Sequence, residues 1–183
     1  MRIPVELKGA FVKRPVDAHK YSVGTVAVVG GSVNYPHAPV IAGLGARAAG
    51  VGLVQLVVPD ASRFAAAVHV PEATLTKLTA ICTVPKADVT VVGMGLGASK
   101  SAEKIVGRVL SGTLGRFVLD AAALPVLAAK GGYKPKKGQE LVLTPHEGEA
   151  AKLLGWPREK VSASRLAAAK EIVRRYGTTV VLK

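Results

Sequence analysis

The sequence predicts an α/β fold in which a mainly parallel sheet carries helices on both faces, and three observations support this prediction. Strand-like and helix-like segments alternate along the 183 residues. The strand-like segments are continuous apolar runs, which is typical of strands buried on both faces. Apolar residues make up 49% of the chain and aromatic residues only 4%, as in an aliphatic core. A parallel sheet covered by helices accounts for all three observations.

The first half of the chain is predicted to contain three strands and three helices. Each strand is a short apolar run that ends in a turn, and each helix is a small-residue or 3.6-periodic segment. The predicted strands cover residues 25–29, 53–58 and 89–92, and the predicted helices cover residues 38–49, 61–68 and 101–110.

The second half continues the alternation. A strand at 117–119 ends at Asp120 and is followed by a helix at 121–130, a basic turn region at 131–139 and a strand at 141–143. An acidic helical pattern then follows Thr144-Pro145. A helix at 164–176 is predicted to bury the face formed by Leu166, Ala169, Val173 and Tyr176, with Ser162 or Ser164 as its cap and Gly177 at its end. A strand at 178–182 completes the pattern.

Composition narrows the functional class. The net charge of +13 would attract nucleic acid, would equally attract nucleotide phosphates, or would simply keep the protein in solution. No basic stripe interleaved with aromatics appears, which argues against nucleic acid. The lone Cys82 excludes an internal disulfide and a zinc cluster of cysteines. The amino terminus lacks the apolar core of a signal peptide, and no apolar stretch is long enough for a membrane helix, so we expect a soluble cytoplasmic protein.

Glycine-rich or polar turns follow four of the predicted strands. These are Gly30-Gly31-Ser32, the Gly-Met-Gly-Leu-Gly turn at 93–97, Asp120, and the turn that carries His146, Glu147 and Glu149. Because the carboxyl ends of parallel strands meet at one edge of a sheet, we expect these turns to form the rim of a small-molecule site. The amino end of the helix after Pro145 would add positive potential there.

Each turn also has a plain structural interpretation. Pro145 ends a strand, and Glu147 and Glu149 complement the dipole of the next helix. The glycines at 30 and 31 do not form a dinucleotide fingerprint and serve equally well as a simple turn, although Ser32 could hold an anion there. By itself Lys20 is best explained as a surface lysine, and His69, between two valines, as a structural histidine. The sequence contains no P-loop, no nucleophile elbow and no convincing metal cluster.

Several segments match a known family in order and spacing. They are Arg14-Pro15 with His19-Lys20, Gly30-Gly31-Ser32 followed by Tyr35, Ala38 and Pro39, and the segments 47–54, 93–97, 144–149 and 180–183. Together they resemble the ADP/ATP-dependent NAD(P)H-hydrate dehydratases, a branch of the ribokinase-like superfamily. The turn at 144–149, for example, is similar to the family's Thr-Pro-His-Pro-Gly-Glu.

This resemblance implies a single ribokinase-like domain over residues 1–183, a three-layer sandwich with a mainly parallel sheet. It implies removal of water from the hydrated nicotinamide ring of NADH or NADPH, with Mg²⁺ as cofactor and ADP, or ATP in eukaryotes, as co-substrate. A homo-oligomer without membrane or nucleic-acid partners is expected. The residues implied are Ala38, Gly95 and His146 for substrate, Lys183 for nucleotide, and Glu149 for organising magnesium and phosphate without a direct protein–metal bond. Lys20, Ser32 and Asp120 are further candidates.

The chain departs from the family pattern at several positions. Met94 and Glu147 replace prolines, His37 replaces a glycine, and Ala122 replaces a second aspartate. The family's Gly-x-Gly-Asp turn, whose aspartate acts as the base, would lie beyond Lys183. We therefore expect the chain to correspond to the amino-terminal two-thirds of such a domain, with no catalytic residue within it and uncertain activity alone.

Two other functions remain open from the sequence. A ribokinase-like kinase for a vitamin precursor or a sugar would share the fold, although such kinases often carry asparagine where His146 lies. A non-catalytic remnant would keep a ligand pocket or use its basic surface on nucleic acid, with strongly salt-dependent binding.

Overall fold

The computed structural model describes residues 15–112, 114–129 and 133–183, and its core is a seven-stranded sheet in which every pairing is parallel. The strand order is β3-β2-β1-β4-β5-β6-β7. The strands are β1 Thr25–Val29, β2 Leu53–Val58, β3 Thr74–Lys77, β4 Val89–Val92, β5 Gly115–Leu119, β6 Gln139–Leu143 and β7 Thr179–Val180. The predicted parallel α/β fold is confirmed.

Helices connect most of these strands, but within the described residues none lies between β3 and β4, and three follow β6. The helices are α1 Ala38–Ala48, α2 Asp60–His69, α3 Lys100–Gly112, α4 Ala123–Ala129, α5 Glu147–Leu154, α6 Arg158–Ala163 and α7 Arg165–Tyr176. Two elements were not predicted, the edge strand β3 and the short helix α6. Neither carries a long apolar run or a full helical period, so local pattern alone does not reveal them.

Packing occurs on both faces of the sheet. The register places Val29, Val92, Leu119 and Leu143 in one row, and this row belongs to a core cluster shared with helices α3 to α7. The adjacent residues of β1 and β2, including Val28 and Leu56, face the other way and pack against α1 and α2. The helices therefore hold the sheet from two sides, and its carboxyl edge stays open to solvent.

The buried face of α7 corrects the sequence prediction. Ala168, Ile172 and Tyr176 are buried, whereas Leu166 is 70% exposed and Val173 43% exposed. Both sets have helical spacing and share Tyr176, so periodicity could not choose between them. The choice is made by tertiary contact, because the Tyr176 hydroxyl donates to Leu153 O at 3.0 Å on α5.

Other local predictions differ in detail. Ser164 occupies the cap position of α7 but its side chain makes no capping hydrogen bond, and Gly177 ends the helix in a left-handed conformation. Helix α4 begins two residues later than predicted, because Ala121 has a φ of +48°. The predicted strand at 178–182 is reduced to two residues.

His69 is not the buried structural histidine that its valine neighbours suggested. It is exposed in the last turn of α2, where a basic group complements the helix dipole. Within the described residues, no helix has the length and hydropathy needed to cross a bilayer.

Candidate functional site

A cleft of about 750 Å³ opens at the carboxyl edge of the sheet. Its walls come from the start of α1, the glycine turn after β4, the first turns of α3, the segment around α4 and the start of α5. The cleft brings together four of the predicted site residues, namely Ala38, Gly95, His146 and Glu149. Two of the four turns predicted to form a rim, those at 93–97 and at His146, line this cavity, whereas Gly30-Gly31-Ser32 and Asp120 are not in its described lining.

His146 and Glu149 form a reciprocal capping box at the start of α5. His146 Nδ1 accepts a hydrogen bond from Glu149 N at 3.2 Å, and Glu149 Oε2 accepts one from His146 N at 2.9 Å. An accepting Nδ1 carries no proton, so the ring is a neutral tautomer with its proton on Nε2. Nε2 lies 3.5 Å from Glu149 Oε1. The imidazole is thus fixed at the cleft by the helix it caps.

The two members of this pair differ in exposure. The His146 side chain is 61% exposed, whereas that of Glu149 is only 13% exposed. Glu149 Oε2 accepts the hydrogen bond of the helix cap, whereas Oε1 takes no part in the cap and lies near His146 Nε2. The structural interpretation of this turn is therefore correct for the cap, and the same cap holds His146 at the cleft.

Glu147 has a different environment. Its carboxylate accepts hydrogen bonds from Ser162 Oγ at 2.6 Å and from Arg165. These contacts, together with the Arg165 charge, lower the pKa of Glu147. The side chain ties the start of α5 to α6 and α7 and does not belong to the described lining of the cleft.

The glycine turn after β4 is needed for close backbone packing. A Cβ at Gly95, where φ is +72°, would lie 2.8 Å from Ala38 Cβ and 2.9 Å from Tyr35 O. A Cβ at Gly93 would lie 1.9 Å from Asp120 O. The missing side chains allow the start of α1 and the end of β5 to approach the turn, which sets the width of the cleft.

Gly30 and Gly31 also allow their backbone to approach the backbone of Met94 closely. Gly31 N donates to Met94 O at 2.9 Å, and a Cβ at Gly30 would lie 2.3 Å from the same oxygen. Because the Gly31 amide is already bonded, it is not free for an anion. Ser32 Oγ accepts from Tyr35 N at 3.3 Å within the local turn, and the described lining of the cleft does not include Ser32.

Lys20 lies away from this site. It is exposed, its ammonium lies 5.1 Å from the centroid of the Tyr21 ring, and the described cleft lining does not include it. The surface interpretation made from sequence agrees with this position. Arg14, which also carried part of the family resemblance, lies outside the described residues.

Asp120 and Lys183 form an ion pair across the end of β6. Lys183 Nζ lies 2.8 Å from Asp120 Oδ1 and 3.0 Å from Oδ2. Lys183 N donates to Pro145 O at 2.9 Å, and Asp120 Oδ1 accepts from Ala121 N at 2.8 Å. The sequence suggested both residues separately but not as a pair. The described lining of the cleft includes neither of them.

Sequence reasoning missed several cleft residues. Lys100 and Glu103 on α3 and Lys152 on α5 all line the cavity. They could have been proposed from the sequence, because a helix that follows a turn of the site begins at the same edge of the sheet as that turn. Lys152 also lies three residues after Glu149, which places both on one helical face.

The carboxylates suit a magnesium ion held largely by other ligands. Among the described residues, no group of three or more His, Cys, Asp or Glu side chains is placed to bind a metal. Mg²⁺ commonly uses one or two protein carboxylates and completes its shell with water and substrate phosphates. Glu149 lines the cleft and has one oxygen, Oε1, outside the helix cap, which fits that requirement.

Comparison with known proteins gives a consistent set of matches. A family model described as NAD(P)H-hydrate dehydratase matches residues 26–183. The ADP-dependent (S)-NAD(P)H-hydrate dehydratase of Neisseria meningitidis is 37% identical over 177 residues, which are 94% of this chain and 60% of that protein. The bifunctional NAD(P)H-hydrate repair enzyme Nnr of Escherichia coli is 34% identical over 174 residues, covering 93% of this chain and 33% of the relative.

A solved structure agrees with these sequence matches. The ADP/ATP-dependent NAD(P)H-hydrate dehydratase from Bacillus subtilis, co-crystallised with ATP/Mg²⁺, superposes with a TM-score of 0.84 at 30% identity. The superposition covers 95% of this chain and 63% of the Bacillus chain. The chain thus spans about 60% of the length of the Neisseria and Bacillus proteins.

Proposed function

Because the chain belongs to the NAD(P)H-hydrate dehydratase family, we propose that it serves the dehydration of hydrated NAD(P)H with ADP as co-substrate, which repairs the damaged nicotinamide cofactor. The observation that carries this proposal is the convergence of Ala38, Gly95 and His146 on one cleft of about 750 Å³. These three residues come from separate segments of the chain and correspond to the family's substrate positions.

The proposed substrate side lies between the glycine turn and α5. Gly95 and Ala38 present small surfaces, so a flat ring can approach the backbone there. His146 has a hydrogen-bond donor at Nε2, because its Nδ1 accepts from Glu149 N. A neutral donor at this position suits an amide or hydroxyl group of the hydrated nicotinamide.

The proposed nucleotide side begins at Lys183. The Lys183 backbone is tied to Pro145 O, and its ammonium is held by Asp120. This arrangement puts the Lys183 ammonium, paired with Asp120, next to the turn that carries His146 and Glu149. A nucleotide phosphate that approaches this edge would meet the ammonium, with Asp120 setting its position.

Glu149 supports the use of Mg²⁺. When bound, the ion neutralises phosphate charge, and Glu149 would hold it with water and nucleotide phosphate as the remaining ligands. The family chemistry converts the ring hydroxyl into a phosphate, which is a better leaving group than hydroxide. Loss of that phosphate restores the double bond, so that ADP yields AMP and inorganic phosphate.

The activity is tested by incubating hydrated NADPH with ADP and Mg²⁺ and following the near-ultraviolet absorbance of the reduced nicotinamide. The assay uses the 183-residue chain alone and the same chain joined to the part of the Neisseria relative that this chain does not cover. We expect ADP-dependent recovery with the joined protein. No recovery with a folded, ADP-binding joined protein contradicts the proposal, and a stable phosphorylated small molecule detected by mass spectrometry indicates a kinase instead.

A further inference from the structure

Two lysines in the cleft have no assigned function. Lys100 is the first residue of α3 and Lys152 lies in the last turn of α5, so they belong to different walls of the same cavity. Both residues are exposed. Over residues 15–112, 114–129 and 133–183, neither ammonium group makes an ion pair or hydrogen bond.

Other lysines at the edges of the sheet are already engaged. Lys183 is paired with Asp120, and Lys77 is paired with Asp60 at 2.6 Å. An unpaired ammonium can bind a phosphate without first losing a protein partner. Lys100 and Lys152 are therefore available for an anionic part of a ligand that enters the cleft.

The remaining lining defines the rest of such a ligand. Much of it is small and apolar and includes Ala98, Ala102, Ala122, Pro125 and Val126. A cavity of about 750 Å³ lies in the upper part of the range for small-molecule and cofactor sites, roughly 300–1,000 Å³. Apolar walls with a few charged groups suit a ligand that has flat rings joined by phosphates.

The two acidic residues of the cleft, Glu149 and Glu103, differ in how far they can neutralise the charges of Lys100 and Lys152. One Glu149 oxygen is committed to the cap of α5, whereas Glu103 is exposed on the same wall as Lys100. A carboxylate next to a phosphate site accepts hydrogen bonds from ribose hydroxyls in many dinucleotide-binding proteins. Lys100 and Glu103 together would fit a ribose and its attached phosphate.

We propose that Lys100 and Lys152 bind the phosphate groups of the dinucleotide substrate while its nicotinamide end lies at Ala38, Gly95 and His146. This inference rests on the proposed function, which supplies the dinucleotide as the ligand. The phosphates of ADP share the same chemistry, but the proposed contact for ADP begins at Lys183, outside the described lining of the cleft.

The test measures NADPH binding to the 183-residue chain through the fluorescence of the reduced nicotinamide. K100Q and K152Q remove each charge, while K100R and K152R retain it. We expect each glutamine variant to raise the Kd for NADPH about three- to tenfold and the arginine variants to change it less than about twofold. K104Q is the matched control, because Lys104 is an exposed lysine on the same helix that is not in the described cleft lining.

Parallel titrations with NADH and ADP distinguish the sources of phosphate. Weaker binding of both NADH and NADPH to the glutamine variants supports contact with the pyrophosphate, and weaker binding of NADPH alone supports contact with the extra phosphate. Weaker binding of ADP with unchanged NADPH binding overturns the inference, as does a Kd for both glutamine variants equal to that of K104Q. If the folded unmodified chain does not bind NADPH at all, the inference is overturned, whereas the proposed function is decided separately by the recovery assay with hydrated NADPH.

Discussion

Glu149 and His146 hold each other through two reciprocal hydrogen bonds, 3.2 Å from Glu149 N to His146 Nδ1 and 2.9 Å from His146 N to Glu149 Oε2. The same contacts cap helix α5 and fix the tautomer of a histidine at the cleft. The cap of α5 and the orientation of His146 at the cleft therefore depend on one pair of side chains.

Substitution of Glu149 separates these two contributions. Glu149→Ala removes the acceptor for His146 N and should lower the free energy of unfolding by about 1 kcal/mol. Glu149→Gln keeps an acceptor but removes the charge, so we expect nearly unchanged stability together with weaker Mg²⁺-dependent ADP binding. Urea unfolding and ADP titration with and without Mg²⁺ measure the two effects. Equal loss of stability in both variants would contradict the role of the cap.

Gly95 and Gly97 provide a matched pair for testing the close approach at the glycine turn. Both have a φ of +72°, but a Cβ at Gly97 meets open space, whereas one at Gly95 would lie 2.8 Å from Ala38 Cβ. Gly97→Ala should cost about 1 kcal/mol through backbone strain alone. Gly95→Ala should cost more and should weaken NADPH binding. Urea unfolding and NADPH titration test this, and equal effects of the two substitutions would show that crowding at Gly95 is unimportant.

Asp120→Asn tests whether the ion pair positions Lys183. The two side chains are partly exposed, so the change in the free energy of unfolding should stay within about 1 kcal/mol. We expect weaker ADP binding because the Lys183 ammonium loses its anchor. Asp60→Asn removes the partner of Lys77 at the opposite edge and serves as the control. Isothermal titration should show weaker ADP binding for Asp120→Asn but not for Asp60→Asn. Unchanged ADP affinity in both variants would exclude the positioning role.

We expect Glu171 to make the free energy of unfolding depend on pH in the acid range. Hydrogen bonds from Arg174 and Arg175, followed by their charges, lower the pKa of Glu171 from 4.5 to about 2. A carboxylate with a lowered folded-state pKa stabilises the fold above its unfolded pKa, and this contribution is lost as the pH falls from 4.5 toward 2. The difference in unfolding free energy between the native chain and Glu171→Gln should therefore shrink between neutral pH and about pH 3. A difference that is independent of pH would contradict the assignment.

The strands and their shared edge could be predicted from the sequence because each central strand is a continuous apolar run. β1 has the predicted limits Thr25–Val29, and the turn that carries His146 follows β6 as expected. β3 escaped prediction because its Thr-Leu-Thr-Lys sequence gains stability from pairing with β2, not from its own pattern. The buried face of α7 depended in the same way on a contact with α5.

The site residues differ in how well the sequence predicts their position. Gly95 and His146 lie in turns after strands, and Glu149 lies in the first turn of the helix that follows β6, so their place at the edge follows from the strand order. The Asp120–Lys183 pair joins residues 63 positions apart. Lys100 and Lys152 lie on helices, and their convergence depends on how α3 and α5 pack. Local sequence patterns do not show which residues of distant segments, or of two packed helices, come together.

The most direct measurement is a crystal structure of the chain with NADPH bound. We expect the nicotinamide ring to lie against Gly95 and Ala38, within hydrogen-bond distance of His146 Nε2, with phosphates directed toward Lys100 and Lys152. Density for the dinucleotide at another surface, or ADP instead of the nicotinamide between Gly95 and His146, would contradict the assignment of this cleft to the dinucleotide substrate.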